Sequence, residues 1–226
     1  MSQSNAVQTC AYCEAAATTR DHIPPRGIFP RPWPSDLITV PSCEDCNGGA
    51  SLGDEVFRLS LVLRAEVKDH PQAAEVLKTA MRGLKRTERP NLRRDILAST
   101  RDVEQYSPGG IYLGNSKEYS LPLKRIVEVL NRIARGLYFH HVGERLPKEY
   151  SVVSRPAQSL NFSDESAVDS LRELVGLTNP QVFSVADGAF KYRFGLCEDD
   201  RVGSFWVFSF FETFAFVAFT NPPDAL

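Results

Sequence analysis

The sequence predicts an α+β protein made of a small cysteine-rich module, a helical connection and a larger domain with an antiparallel sheet. Three observations support this prediction. The first 50 residues are rich in proline, glycine and paired cysteines, helical periodicity follows, and strand-like segments recur in the last part. The predicted boundaries are residues 1–58 for the module, 59–100 for the connection and 101–226 for the larger domain.

The cysteine-rich module has too little apolar material to fold by burial alone, since six prolines and three glycines interrupt its first 50 residues. Its cysteines form two C-x-x-C pairs, Cys10 with Cys13 and Cys43 with Cys46. In a reducing compartment such pairs favour metal over disulfides. Together they would complete a closed tetrahedral shell for one structural zinc ion. The alternative is that the four thiols simply pack in the core.

Helical periodicity predicts the connection. Apolar residues recur at helical spacing over residues 54–65, with Ser51 or Gly53 as the start. A second helix is predicted from Pro71 to about Leu84, and a short third one over residues 89–98. The stretch from Arg82 to Arg94 holds six basic residues against one acidic residue. Such a run is typical of a solvated helix face, and contact with phosphate is the alternative.

The larger domain is predicted to mix helices with an antiparallel sheet. A hairpin is expected within residues 103–113, a helix over 164–175, and strands at 150–154, 190–196, 204–211 and 214–220. An amphipathic helix precedes these strands, and its core positions are Ile126, Val127, Leu130, Ile133, Ala134 and Leu137. Arg125, Arg132 and Arg135 are placed elsewhere on its surface. The phenylalanine-rich last two strands indicate a sheet covered on both faces, or in part an oligomer interface.

Charge and hydropathy exclude some classes of protein. The formal net charge of −2 argues against binding nucleic acid through overall charge, so local patches would have to do it. No apolar stretch is long enough to span a membrane, and the N-terminus lacks the pattern of a secretory signal. We therefore expect a cytoplasmic protein without a membrane partner.

The residues that carry chemistry lie between and directly after the cysteine pairs. Asp21 and His22 are adjacent, and Asn47 follows Cys46. The order C-x-x-C, Asp-His, Cys-Glu-Asp-Cys-Asn resembles the HNH, or ββα-metal, endonuclease superfamily, in particular its endonuclease VII-like subgroup with four cysteines. The resemblance covers about residues 8–58. Each motif also has a simpler interpretation when it is taken alone. Asp-His-Pro-Pro is typical of a turn, and an asparagine before Gly-Gly is typical of a turn residue with a left-handed backbone.

The resemblance implies a zinc-stapled ββα-metal module that hydrolyses phosphodiester bonds. Asp21 and Asn47 would bind a catalytic Mg²⁺ or Mn²⁺ through oxygen atoms. His22, which titrates near neutral pH, would take a proton from the attacking water. Neighbours on a flat strand face opposite sides, and the resemblance implies that the distorted end of a hairpin turns Asp21 and His22 towards one groove.

Two positions differ from the family pattern. Residues 35–40 hold no asparagine to orient His22, and Asp36 is the candidate substitute. The segment after Asn47 is Gly-Gly-Ala-Ser, where many members carry a lysine or histidine. Glu55 is therefore added as a candidate ligand of the ion.

Arginines around the predicted hairpin are the candidates for phosphate contacts. They are Arg20, Arg26 and Arg31, with Arg58 or Arg64 on the following helix. Ordinary surface arginine is the alternative for each. Trp33 is expected to pack structurally, with stacking on a base as its alternative.

The sequence therefore predicts an HNH endonuclease that acts on DNA, with structural Zn²⁺ and catalytic Mg²⁺ or Mn²⁺. The larger domain would serve target selection, regulation or dimerisation. Through it the chain would form a homo-oligomer or bind a protein partner. Two alternatives stay open. One is a non-catalytic zinc module that binds nucleic acid or protein, and the other is an RNase with the same site.

Overall fold

The computed structural model describes residues 8–67, 69–85, 90–160, 176, 181–197 and 202–223. Over these residues the chain is a mixture of helices and antiparallel sheets, so the predicted α+β class is confirmed. None of the described helices combines the length and the apolar character needed to cross a bilayer.

The N-terminal part contains a two-stranded sheet followed by two helices. Strand β1 (Thr19–Ile23) pairs antiparallel with β2 (Ile38–Ser42), and a turn of 3₁₀ helix (Arg26–Ile28) lies in the connection between them. Helix α1 (Glu44–Gly48) starts directly after β2, with Cys43 as its N-cap. Helix α2 (Ser51–Val62) follows and begins at the predicted serine.

The predicted helices of the connection are confirmed with small changes at their ends. Helix α3 spans Pro71–Lys85 and α4 spans Pro90–Ser99, each starting at a proline, which suits the first turn of a helix. A hairpin follows, formed by β3 (Arg101–Tyr106) and β4 (Tyr112–Glu118) around a turn in which Gly110 has a φ of 81°. The hairpin is longer than the predicted segment because pairing continues through polar residues on both strands.

Helix α5 (Leu123–Val142) is the centre of the fold. It begins after Pro122 and ends at Gly143, whose left-handed backbone donates its N–H to the Phe139 carbonyl. Helix α2, the β1–β2 hairpin and the C-terminal sheet all pack against it. For this reason its buried face is wider than predicted, and Arg132, expected on its outer surface, is only 12% exposed.

The C-terminal part is a five-stranded antiparallel sheet with the strand order β5-β9-β8-β7-β6. The strands are β5 (Ser151–Pro156), β6 (Phe183–Val185), β7 (Phe190–Leu196), β8 (Ser204–Phe210) and β9 (Phe214–Asn221). The predicted hairpin of the last two strands is confirmed. Most of its phenylalanines are buried in the core. The helix predicted over residues 164–175 lies outside the described residues.

One hydrophobic core joins the N-terminal part to the C-terminal sheet. Phe57 of α2 meets Phe210 of β8 edge to face, with ring centroids 5.3 Å apart. Ile23 of β1 and Trp206 of β8 belong to the same buried cluster. Helix α2 itself runs through residue 58, where the sequence predicts the end of the module.

Gly136 marks the closest approach of α5 to the N-terminal hairpin. Alanine is the better helix former by about 1 kcal/mol. However, a Cβ atom at residue 136 would lie 2.6 Å and 2.8 Å from atoms of the Ile23 side chain and 3.0 Å from the Tyr12 hydroxyl. We expect the cost of overpacking to exceed the gain in helix propensity. Gly136→Ala should therefore lower the free energy of unfolding by about 1–2 kcal/mol in urea titrations.

Gly48→Ala is the control for this measurement, because a Cβ there meets no atom within 4 Å. Its stability should be unchanged or slightly higher. Equal stability of the two variants would contradict the tight contact between α5 and β1.

Candidate functional site

The four cysteines of the two C-x-x-C pairs form one cluster. The Sγ atoms of Cys10, Cys13, Cys43 and Cys46 all lie within 4.8 Å of one another. Cys13 Sγ is 3.6 Å from Cys43 Sγ and 3.7 Å from Cys46 Sγ. A tetrahedral zinc with bonds of about 2.3 Å would separate two sulfurs by ~3.8 Å. The donor set therefore fits one metal ion held by four sulfurs, whereas a purely apolar role does not require the sulfurs to converge.

The electrostatics of the cluster also favour a cation at its centre. Burial raises the pKa of Cys10, but backbone N–H groups, including that of Tyr12, outweigh it and lower the pKa to about 7. Burial and the neighbouring sulfurs raise the pKa of Cys46. A thiolate at one cysteine thus disfavours deprotonation of a neighbouring cysteine. A divalent cation at the centre would compensate for the repulsion between the thiolates.

A groove of about 410 Å³ opens beside the cluster, between β1, the segment that follows it and the start of α2. Most candidate residues outside the cysteines line it: Asp21, His22 and Asn47, with Arg20, Arg26, Arg31, Glu55 and Arg58. Arg64 does not; it lies in another depression and pairs with Glu66. Residues separated by up to 38 positions in the sequence are thus brought to one surface.

Asp21 is buried at the base of this groove, with 4% of its surface exposed. The Tyr12 hydroxyl donates a 2.8 Å hydrogen bond to Asp21 Oδ2. Arg132 Nε lies 3.5 Å from the same oxygen, and the Arg132 guanidinium also pairs with Asp54. Burial, then the charge of Asp21, raises the pKa of Tyr12, so the hydroxyl keeps its proton as a donor.

The sequence patterns do not predict that Tyr12 and Arg132 contact Asp21. A signal existed for Arg132, since it lies three residues after Val129 and four before Gly136 on one helical face, and both of these residues are buried. An arginine on such a face needs an acidic partner, and the acidic residues of the N-terminal part were the candidates. Tyr12 lies inside the first C-x-x-C pair, and its sequence context does not indicate its partner.

His22 follows on the same strand and is half-buried. The strand keeps regular pairing through both residues, with Asp21 opposite Val40 and His22 opposite Thr39. The alternative of a turn is therefore wrong. Both side chains line the same groove, as the resemblance implies. Burial, then the charge of Arg26, lowers the pKa of His22, which keeps the imidazole neutral and able to accept a proton at neutral pH.

Asn47 belongs to α1, so the alternative of a left-handed turn residue is wrong. Its Nδ2 donates to Thr19 Oγ1 at 3.0 Å and to the Arg20 carbonyl at 3.3 Å. These bonds fix the amide against β1, and Asn47 lines the groove.

Asp36 does not orient His22. Its Oδ2 accepts a 2.9 Å hydrogen bond from the Ala186 N–H, which ties the β1–β2 connection to the C-terminal sheet. The prediction that Asp36 replaces the family's asparagine is therefore wrong. The residue beside His22 on the neighbouring strand is Thr39.

The carboxylates at the groove each contact an arginine. Both oxygens of Glu55 accept from Arg58 Nη2, at 2.5 Å and 2.6 Å. Asp21 and Asp54 share Arg132. A magnesium ion typically uses one or two carboxylates with waters and substrate phosphates, so Asp21 and Asn47 are a fitting, sparse donor set. Glu55 is the weaker candidate because Arg58 engages both of its oxygens.

No protein-family model, curated protein or solved structure matches this chain. Functional inference therefore depends on the residues of the site and their geometry.

The bond from Tyr12 to Asp21 can be tested by removing one hydroxyl. Tyr12→Phe leaves a buried carboxylate without its donor, and we expect it to lower the free energy of unfolding by about 1–3 kcal/mol. The control is Tyr112→Phe, because Tyr112 is exposed and its hydroxyl donates to Asn115 Oδ1 at 2.9 Å. Denaturant titration measures both, and equal losses would show that Asp21 does not depend on Tyr12.

Proposed function

We propose that the chain is a metal-dependent endonuclease of the HNH type that hydrolyses phosphodiester bonds in DNA. The observation that carries this proposal is the convergence of Asp21, His22 and Asn47 on one arginine-lined groove beside the four-cysteine cluster. The order of these residues in the sequence resembles the HNH pattern, and their place in the fold makes joint action on one phosphate feasible. The cysteine cluster would hold a structural Zn²⁺ with no open position.

Each side chain has a distinct role in this proposal. His22, neutral because its pKa is lowered, accepts a proton from the attacking water at a ring nitrogen. Asp21 and Asn47 hold the catalytic Mg²⁺ or Mn²⁺, which supplies Lewis-acid stabilisation of the phosphate and the leaving oxygen. Arg20, Arg26, Arg31 and Arg58 bind the flanking phosphates and orient the strand.

A second candidate is a non-catalytic zinc module that binds nucleic acid or protein. The observation that favours it is the pairing of every groove carboxylate with an arginine, Asp21 and Asp54 with Arg132 and Glu55 with Arg58. In this state the negative charges of the groove carboxylates are balanced by protein groups alone. An RNase with the same site is a third candidate, since the chemistry of His22 does not depend on the sugar of the substrate.

Cleavage by the full chain tests the nuclease. With Mg²⁺ or Mn²⁺ added, we expect nicking of plasmid DNA, and a panel of duplex DNA, single-stranded DNA and RNA separates DNase from RNase. His22→Ala should lower the rate by about 10²–10⁴-fold because the proton acceptor is lost, while the metal held by the cysteines is retained. His140→Ala is the control, because His140 is an exposed histidine at the end of α5. Binding without cleavage by the unmodified chain would support the non-catalytic module.

Metal analysis tests the zinc site separately. The purified chain should contain about one zinc ion, and Cys13→Ser should lose most of it because one of four thiolates is removed. The exposed Cys197 provides the matched control, and Cys197→Ser should keep its zinc. Equal zinc content in the two variants would contradict the four-cysteine site.

A further inference from the structure

The groove at His22 continues beyond Arg58 into a second depression. This depression has a volume of about 460 Å³ and is lined by Phe29, Thr79, Arg82 and Gly83 together with Gly27, Arg31, Trp33 and Arg58. The last four residues also line the first groove. The two depressions therefore form one track that runs from β1 to α3, and its end at α3 lies outside the segment that resembles the HNH family. We call it the β1–α3 track.

The β1–α3 track carries positive charge although the chain as a whole has a net charge of −2. Its arginines are Arg20, Arg26, Arg31, Arg58 and Arg82. Arg58 pairs with Glu55, and Asp21 and Asp54 pair with Arg132. Among the described residues, no carboxylate forms an ion pair with the other four arginines. Arg20 donates to the Thr39 hydroxyl and carbonyl, and Arg82 donates to the Lys78 carbonyl, but these neutral partners leave the positive charge of the track uncompensated.

Trp33 lies where the two depressions meet, and it organises two of these arginines. The Cζ atoms of Arg26 and Arg31 are 4.2 Å and 4.5 Å from the centroid of its ring. Cation–π contacts of this kind hold a guanidinium in place while its N–H groups remain able to donate. The ring is 40% exposed. Trp33 therefore packs against two arginines, in line with its predicted structural role, and also lines the track.

Gly83 lines the second depression from inside α3. A Cβ at residue 83 would lie 3.4 Å from Arg58 Nη2 and 3.8 Å from Glu55 Oε1, which are ordinary contact distances. The Arg58–Glu55 pair therefore lies against α3 at this depression. Among the described residues of the basic stretch 82–94, Arg82 is the basic residue that lines the track.

We propose that the β1–α3 track binds a single strand of nucleic acid, which passes from His22 across Trp33 to Arg82. This inference rests on the proposed function and adds the form of the substrate and the path of one strand. A positively charged groove with an exposed aromatic ring is the usual device for single strands. Depressions of about 410 and 460 Å³ have the size of sites for small ligands, which suits successive nucleotides rather than a duplex.

The two tryptophans of the chain provide a direct test, since Trp33 is 40% exposed and Trp206 is fully buried. We expect a single-stranded oligonucleotide, DNA or RNA, to change the tryptophan emission of the full chain without added Mg²⁺ or Mn²⁺. Trp33→Phe should abolish this change and keep the emission of Trp206. The same strand annealed to its complement should bind more weakly. Unchanged emission, or equal binding of duplex and single strand, would overturn the inference.

Arg82 tests the far end of the track. In anisotropy titrations with a labelled single strand, Arg82→Gln should weaken binding about fivefold and reduce the slope of log K against log salt by about 0.7, because one phosphate contact is lost. Arg193→Gln is the matched control, since Arg193 is exposed on β7 and belongs to neither depression. If the two variants bind alike, the strand does not reach α3.

These readouts are independent of the proposed nuclease activity. Cleavage without a change in Trp33 emission would keep the nuclease and overturn the track. Binding along the track without cleavage would support the track and contradict the nuclease. Circular dichroism of Trp33→Phe and Arg82→Gln establishes that both variants fold.

Discussion

The buried carboxylate of Asp21 is the point on which the site depends. A charge with so little exposure is tolerated only where partners compensate for its lost hydration. Tyr12 supplies a hydrogen bond from inside the first cysteine pair, and Arg132 supplies positive charge from α5. The first cysteine pair, β1 and the distant helix α5 therefore meet at one side chain, and the position of each is constrained by the other two.

This meeting point explains why the cysteine cluster and the groove form one structure. Tyr12 is held between two metal-ligand candidates, Cys10 and Cys13, so the geometry of the cluster is transmitted to Asp21 by a single hydroxyl. On the other side, Gly136 brings α5 close enough for Arg132 to reach the same carboxylate. The hairpin that resembles a self-contained nuclease module is thus completed by a helix that the sequence places in the larger domain.

Local patterns predicted much of the fold and of the site. The cysteine pairs, Asp21, His22 and Asn47 could be found because their spacing along the chain is itself the signal. Helices and strands followed from periodicity, which depends on neighbours a few residues apart. The partners of the carboxylates could not be found in this way. Arg132 lies 78 residues from Asp54, and Ala186 lies 150 residues from Asp36, so only the packing of α5 and of the sheet brings them together.

Arg132 also shapes how a catalytic cation would enter the groove. It already lies beside Asp21 and Asp54, so a divalent ion at Asp21 meets a neighbouring positive charge as well as a carboxylate. Two protein ligands, Asp21 and Asn47, would then hold the ion weakly on their own. Phosphate oxygens are the natural additional ligands, because magnesium commonly completes its shell with them. In the proposed nuclease, binding of the strand by the arginines and binding of the ion by Asp21 therefore strengthen each other, so that the strand and the ion assemble the site together.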